Sequence, residues 1–215
     1  MKITIIGWYG TETIGDRAIL AGLISFFKKT YNNFEIHLGS LYPFFSERTI
    51  NEDYSFYKEI IRDDIKINIF DSQKSNELLK NIKNSDLVVI GGGPLMDLKE
   101  LYMLEYAFKK ARKLKIKTAI LGCGVGPLFK KEFRKSVLNI VKNSDLVILR
   151  DNKSKENLEE IFNEFKAGFT ADDIYTSYDP AVECTIEFDK IYKKEKKNYI
   201  AVNLREFPVE YNKAN

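Results

Sequence analysis

Short apolar segments that end in glycine alternate with helical segments along most of this chain of 215 residues. Ile3–Ile6 leads into Gly7, and Leu87–Ile90 leads into a run of glycines, Gly91–Gly93. Such uniformly apolar runs are typical of parallel strands that are buried on both faces. Because strands that alternate with helices are joined by right-handed crossovers, the pattern predicts an α/β fold. We expect a Rossmann-like, doubly wound and mainly parallel sheet with helices on both faces.

Local signals refine this prediction at several places. Asp16 follows the first strand and is predicted to be the N-cap of the first helix. The aromatic stretch Leu41–Asp53 is predicted to be a long loop, and Tyr54–Ile61 a short helix after it. Thr118–Leu121 is predicted to be a strand, and the glycine-rich segment Gly122–Pro127 the loop that follows it.

Glycines follow three of the predicted strands directly. The carboxyl ends of parallel strands lie at one edge of a sheet, where doubly wound folds bind their ligands. Glycine allows close approach of the backbone to a phosphate or a sugar, although a tight turn is the simpler alternative. The spacing does not fit the dinucleotide-binding pattern G-x-G-x-x-G. The glycines predicted to line a cleft are Gly10, Gly15, Gly91, Gly92, Gly93, Gly124 and Gly126.

Few polar side chains stand beside these glycines. Asp16 has two interpretations, a helix cap or a contact to substrate hydroxyls. Arg150 and Asp151 follow the strand Leu146–Leu149, where they form either a structural ion pair or a contact to ligand. Arg205 ends a later apolar segment, and its guanidinium has the geometry to bind a carboxylate or phosphate through two hydrogen bonds.

Composition excludes several classes of protein. A formal charge of +3, from 34 basic and 31 acidic residues, gives no support to nucleic-acid binding. Cys123 and Cys184 lack the spacing of a disulfide framework or a zinc site, so no metal is expected. No apolar run is long enough for a transmembrane segment, and a cytoplasmic location is expected. His37 is the only histidine that could serve as a base.

The regular alternation of predicted strands and helices ends near the end of the chain. Residues 1–184 are predicted to form one Rossmann-like domain, and the charged residues 185–198 a linker. Residues 199–215 contain a fresh apolar segment, which we interpret as the first strand of a second domain that the chain does not complete.

Several segments, in this order, resemble the polysaccharide pyruvyl transferase family. The matching family elements are N-I-G-D-E-x-I-L, a glycine-triplet strand turn, G-x-G-P, R-D-x-x-S, D-P-A and the segment that opens the second domain. Thr13 departs from the usual asparagine, and Arg17 stands where an acidic residue is common. The matching segments are Ile14–Leu20, Val89–Leu95, Gly124–Pro127, Leu149–Ser154, Asp179–Ala181 and Asn203–Arg205.

The resemblance implies one half of a GT-B-like enzyme, in which two Rossmann-like domains face each other across a cleft. Such enzymes transfer the pyruvyl group of phosphoenolpyruvate to a sugar as a ketal, in cell-surface polysaccharide synthesis. Phosphoenolpyruvate is a donor substrate, and no cofactor is expected. The implied partners are a saccharide acceptor, phosphoenolpyruvate, and either a C-terminal half or a homo-oligomeric copy.

The resemblance also assigns roles to residues. Asp16, Arg150 and Asp151 are the predicted catalytic residues. The glycines named above and Thr13 are predicted to bind substrate, mainly on the acceptor side, and Arg205 to bind the donor. Two alternatives remain: half of a nucleotide-sugar glycosyltransferase of the same architecture, and a non-catalytic saccharide-binding or scaffold domain.

Overall fold

A computed structural model describes residues 1–11, 13–168, 170, 174–192 and 202 of the chain. The strands are β1 (Lys2–Ile6), β2 (Glu35–Ser40), β3 (Ile67–Asp71), β4 (Leu87–Gly91), β5 (Pro94–Leu95), β6 (Lys117–Val125), β7 (Leu146–Leu149) and β8 (Tyr175–Thr176). The helices are α1 (Ile14–Thr30), α2 (Pro43–Ile61), α3 (Ser75–Lys83), α4 (Leu101–Lys113), α5 (Lys131–Lys142), α6 (Asn152–Glu164) and α7 (Ala181–Ile191).

The strands form one parallel sheet in the order β3-β2-β1-β4-β6-β7-β8, and β5 pairs with the end of β6. The order reverses between β1 and β4, as in doubly wound folds. Side chains from the two faces of each central strand enter different cores. Ile5 packs with Leu23 of α1, whereas Ile90 packs with Phe108 of α4. The predicted Rossmann-like α/β fold is therefore confirmed.

Helix α1 begins earlier than the predicted cap. Thr13 is the N-cap, and its hydroxyl oxygen accepts a hydrogen bond from the Asp16 backbone N–H. Asp16 lies in the first turn, at the third helical position, where an acidic side chain favours the positive end of the helix. The prediction that Asp16 caps the helix was wrong. Thr13-x-x-Asp16 instead follows the spacing of a capping box.

Helix α2 occupies the segment that was predicted to be a loop. It starts at Pro43, so the helix covers both the aromatic stretch and the short helix expected at Tyr54–Ile61. Proline is favoured at the first helical position, because its fixed φ suits the helix and its missing N–H is not needed there. Ser46, Ile50 and Tyr57 are buried at helical spacing on the face that packs on the sheet.

Strand β6 continues past the predicted strand end at Leu121. Gly122 and Gly124 belong to this strand, although the register with β7 shifts after Leu121. Only Gly126 and Pro127, joined by a cis peptide bond, lie in the loop beyond the strand.

The segment predicted to be a linker begins inside helix α7, since residues 185–191 are helical. This helix packs along α1, and its Glu183 lies near Ser25 and Lys29 of that helix. The predicted strand in residues 199–204 and Arg205 lie outside the described residues. The division of the chain into domains stays a prediction.

Glu35 connects the amino ends of neighbouring strands. The hydrogen bond from Lys66, and a second contact with His37, lower the pKa of Glu35 from 4.5 to about 2. The pKa of Glu35 is thus lower in the folded protein than in the unfolded chain. Its ionised carboxylate therefore stabilises the fold fully above pH 4.5, and this stabilisation is lost as the pH falls through about 2.

We expect Glu35→Gln to lower the free energy of unfolding at neutral pH by about 1 kcal/mol or less, since the pair is partly exposed. The difference from the wild type should shrink as the pH falls from 4.5 towards about 2. Urea unfolding over this range measures it. The exposed Glu159 of α6, changed to glutamine, is the control. A difference that does not vary with pH would contradict this explanation.

Candidate functional site

The segments that follow β1, β4 and β6 meet at the edge of the sheet where these strands end, which we call the carboxyl edge. The Tyr9 hydroxyl donates to the Gly91 carbonyl oxygen over 3.0 Å. The Gly124 N–H donates to the Gly93 carbonyl oxygen, also over 3.0 Å. The glycine-bearing segments singled out in the sequence therefore lie side by side.

The glycine run Gly91–Gly93 is buried, and neighbouring side chains fill the space beside it. A Cβ atom on Gly91 would lie 2.3 Å from Leu23 Cδ1, and one on Gly92 would lie 2.3 Å from Ile19 Cγ2. Gly92 and Gly93 both have φ of +68°. Close packing of α1 on this turn is thus sufficient reason for glycine, and a contact with substrate stays a prediction.

Trp8 covers the point at which the strand order reverses. Its Nε1–H donates to the Pro94 carbonyl oxygen over 3.0 Å, and a Cβ on Gly93 would lie 2.5 Å from its Cδ1. Doubly wound folds that bind dinucleotides use the crevice at this position. In this protein an indole ring lies there, between the β1 loop and the β4–β5 turn.

Asp16 lies at the mouth of a cleft between the first turns of α1 and α2, which we call the α1–α2 cleft. Its Oδ2 accepts hydrogen bonds from the hydroxyls of Thr11 and Thr13. Gly15 is exposed, with open space where a Cβ would be. The cleft is lined by Tyr9, Gly10, Thr13, Asp16, Arg17, Leu20, Leu38, Ser46, Thr49, Ile50 and Tyr57.

Gly10 brings the β1 and β2 loops together at this cleft. It has φ of +94°, and a Cβ there would lie 2.4 Å from Ser40 Oγ and 2.7 Å from the Tyr42 nitrogen. The Leu41 N–H also donates to the Tyr9 carbonyl oxygen over 2.8 Å. A side chain at position 10 would separate the two loops.

Arg17, which departs from the family pattern, lines the cleft and joins α1 to α2. Its Nε donates to Asp53 Oδ2 over 2.8 Å, its Nη2 donates to Asp53 Oδ1 over 2.5 Å, and its Nη1 lies 3.0 Å from Glu52 Oε2. Both charges of the Arg17–Asp53 pair are partly buried. Asp53 and Glu52 therefore neutralise the cation that this chain carries beside Asp16.

Tyr9 and Cys123 lie beneath the carboxyl edge and are both buried. Burial, followed by the charge of Asp16, raises the pKa of Tyr9 well above its ordinary value. Burial also raises the pKa of Cys123 to about 12. The phenol and the thiol both stay protonated at neutral pH, so neither is available as an anionic nucleophile.

Arg150 is held in place by two carboxylates at the ends of β7 and β8. Its Nε lies 3.3 Å from Asp151 Oδ2, and its Nη1 lies 3.5 Å from Asp179 Oδ2. The guanidinium rests on the backbone of Gly124, where a Cβ would approach it within 2.8 Å. The ion pair that the sequence left open is present, and Asp179 is a partner that sequence reasoning missed.

Asp151 is also the N-cap of α6, since its Oδ1 accepts the Ser154 N–H over 2.6 Å. Burial opposes its ionisation, but the hydrogen bonds from Ser154 and the charge of Arg150 outweigh that effect. The pKa of Asp151 is therefore below its ordinary value, and the group is a carboxylate at neutral pH.

The predicted catalytic residues share one edge of the sheet but do not form one cluster. Asp16 follows β1 and Arg150 follows β7. These two strands are separated by three strand spacings, or about 14 Å, across the sheet. His37 lies within β2, where it contacts Asn81 and Glu35, rather than in the segments that follow the strands. Arg205 lies outside the described residues.

The loop after β6 is fixed by Asp97, which the sequence did not single out. Its Oδ2 accepts the N–H groups of Phe129 and Lys130 over 3.0 and 3.2 Å. Its Oδ1 is buried and has no hydrogen-bond partner among the described residues. Gly126, in the same loop, has φ of +104° and packs near Asn157.

Two classes of feature are absent from the part of the chain that the structure describes. No group of three or more histidine, cysteine, aspartate or glutamate side chains is arranged to hold a metal ion. None of the helices in the same residues has the length and apolar character to cross a membrane.

The fold is similar to that of solved structures with different sequences. UDP-GlcNAc 2-epimerase from Neisseria meningitidis, bound to UDP-GlcNAc, matches with a TM-score of 0.52 and 16% identity, over 89% of this chain and 50% of that one. The lipopolysaccharide outer core galactosyltransferase WaaB matches with a TM-score of 0.47 and 16% identity, over 83% of this chain and 45% of that one. The chain thus spans about half the length of each.

Comparisons of sequence are more specific. No curated protein matches the chain significantly. The family model for polysaccharide pyruvyl transferase matches residues 14–213, which is nearly the whole chain and includes the Asp16, glycine-triplet and Arg150–Asp151 segments. The resemblance inferred from the ordered motifs is confirmed, and the chain belongs to the polysaccharide pyruvyl transferase family.

Proposed function

We propose that this protein transfers the pyruvyl group of phosphoenolpyruvate to two hydroxyls of a sugar, in the synthesis of a cell-surface polysaccharide. The observation that carries the proposal is the Asp16 carboxylate, which lies at the carboxyl edge beside exposed Gly15 and accepts hydrogen bonds from the hydroxyls of Thr11 and Thr13. Family membership supports the reaction type. We further propose that it acts in the cytoplasm, with which two free thiols agree.

The reaction balances without a cofactor. One sugar hydroxyl loses its proton and adds its oxygen to C2 of phosphoenolpyruvate, and the methylene carbon gains one proton and becomes a methyl group, so this addition involves no net gain or loss of protons. A second hydroxyl then forms a bond to the same carbon as the bond to the phosphate oxygen breaks. The proton of the second hydroxyl leaves with phosphate, and the sugar retains a cyclic pyruvate ketal.

Asp16 is the group that we assign to the sugar hydroxyls. A carboxylate in a fixed position accepts the proton of a hydroxyl as it attacks, which is general base catalysis. The hydroxyls of Thr11 and Thr13 fix the position of Oδ2. Exposed Gly15 leaves the approach to the first turn of α1 open. Gly10 and Thr13 line the same cleft and would contact the acceptor.

Arg150 and Asp151 have a supporting role in this proposal. Two carboxylates already neutralise the guanidinium, so Arg150 is suited to holding the segments after β6, β7 and β8 in register. Binding of the phosphate and carboxylate of phosphoenolpyruvate then requires other cations, and Arg205 is the one that the family pattern proposes.

The occupied crevice between β1 and β4 supports a donor other than a dinucleotide. Trp8 lies in the loop after β1, which is the turn that contacts the pyrophosphate in doubly wound folds that bind dinucleotides. As the only tryptophan, Trp8 also reports binding at the carboxyl edge through its fluorescence.

Incubation of the protein with phosphoenolpyruvate and methyl pyranosides of the gluco, galacto and manno series tests the proposal. We expect phosphate release that depends on the pyranoside, and the methyl signal of a ketal in the NMR spectrum of the product. Titration calorimetry with phosphoenolpyruvate, a nucleotide-sugar and a dinucleotide compares the donors. Transfer of a hexose from the nucleotide-sugar would favour a glycosyltransferase, and binding of a saccharide without turnover would favour a scaffold.

A further inference from the structure

Two exposed aromatic side chains at the carboxyl edge each pack edge-on against the ring of Phe45, with centroid distances of 6.3 and 5.6 Å. Tyr42 is 56% exposed and Phe44 is 71% exposed, and they flank Pro43 at the start of α2. Neither ring belongs to the buried core, although both contact the partly buried Phe45. Neighbouring exposed apolar groups of this kind commonly mark a surface that binds a ligand.

The pair adjoins the α1–α2 cleft. Gly10 lines this cleft together with Thr13 and Asp16, and a Cβ on Gly10 would lie within 2.9 Å of Tyr42 backbone atoms. Ile14, next to Thr13 at the opposite side of the cleft, is 82% exposed. The Tyr42 backbone thus adjoins a cleft that is lined by a carboxylate and hydroxyl groups.

The backbone beneath the aromatic pair is rigidly held. The Tyr42 N–H donates to Ser40 Oγ over 3.1 Å, and Ser40 is itself buried and accepts from the Ser46 hydroxyl over 2.8 Å. Pro43 fixes the backbone at the first position of α2. Because this backbone is already fixed, the binding of a ligand costs little of its conformational entropy.

We propose that Tyr42 and Phe44 form a stacking surface for a pyranose ring of the acceptor saccharide, whose hydroxyls point to Asp16 and Thr13. A pyranose has a face of C–H groups and a rim of hydroxyls. The flat, apolar ring of an aromatic side chain matches the face, and carboxylate and hydroxyl oxygens match the rim. This assignment rests on the proposed function for the identity of the acceptor, but the binding of a saccharide is testable without turnover.

The first measurement is saturation-transfer NMR on the intact protein with the three methyl pyranosides named above. Irradiation of the aromatic protons should transfer magnetisation mainly to the ring C–H protons of the pyranoside. We expect Tyr42→Ala and Phe44→Ala each to weaken pyranoside binding by about tenfold. Tyr175→Ala, which removes an aromatic ring that is 62% exposed on β8, should leave it unchanged.

Two results would overturn the stacking surface: no transfer to any pyranoside with the wild type, or equal binding by the wild type and both alanine variants. Thermal unfolding of each variant shows whether the fold is retained, and Phe44→Trp, which keeps a large flat ring, should retain binding where Phe44→Ala loses it. Phosphate release from phosphoenolpyruvate is measured separately. Its absence, with pyranoside binding intact, would count against the proposed reaction and not against the stacking surface.

Discussion

Gly22→Ala is expected to destabilise the protein by about 3 kcal/mol, although alanine is the better helix former. Gly22 lies within α1, where Pro180 packs directly on the helix backbone. A Cβ on Gly22 would lie 1.8 Å from the Pro180 carbonyl oxygen and 2.6 Å from its carbonyl carbon. These are backbone atoms, so the clash cannot be relieved by a side-chain rotation and α7 must move away from α1. Urea unfolding measures the loss.

Gly15→Ala provides the matched control for this measurement. It makes the same substitution in the same helix, at a position where the new Cβ meets open space. We expect its stability to equal that of the wild type or to exceed it by up to about 1 kcal/mol. If Gly22→Ala were as stable as Gly15→Ala, the close packing of Pro180 on α1 would be contradicted.

Pro180 also contacts Gly122 of β6, which provides a second test of the same packing. Gly122 has φ of +65°, and a Cβ there would lie 2.3 Å from Pro180 Cδ. The two glycines therefore hold Pro180 between a helix and a strand. Because the clashes share one partner, Gly22→Ala and Gly122→Ala together should cost less than the sum of the single changes.

The fold was predictable from the sequence because the central strands carry a strong signal. The apolar runs Ile3–Ile6 and Leu87–Ile90 are buried on both faces, so each is uniformly apolar. The first half of α2 and the whole of α7 were missed, because their sequences carry a different signal. α2 begins with aromatic residues that remain exposed, and the apolar face by which α7 packs on the core, Ala181, Cys184 and Ile191, is short and only partly buried.

The candidate site was predictable in its position but not in its composition. Glycine after a strand marks the carboxyl edge, yet the sequence cannot tell whether a ligand or a neighbouring side chain fills the space beside it. At Gly91 and Gly92 the neighbours are Leu23 and Ile19, from a helix far away in sequence. Asp179 and Tyr42 were missed for the same reason, since only the folded chain brings them to the edge.

Asp16→Asn is expected to slow phosphate release from phosphoenolpyruvate by about 100-fold or more, because an amide cannot accept the proton of the attacking hydroxyl. The amide oxygen can still accept hydrogen bonds from Thr11 and Thr13, so the shape of the cleft should be kept. The loss of a charge in the first turn of α1 should cost the fold at most about 1 kcal/mol. Comparison of kcat, of pyranoside affinity and of urea unfolding separates catalysis from stability.

Glu52→Gln is the control for this change. It also replaces a carboxylate by an amide close to the cleft, but Glu52 is half exposed and pairs with Arg17 rather than lining the cleft. We expect its rate to stay within about twofold of the wild type, since exposed ion pairs contribute little. A kcat of Asp16→Asn equal to that of Glu52→Gln would mean that another group accepts the proton. Asp16 would then be a structural residue of the first turn of α1, for which its two threonine contacts are sufficient reason.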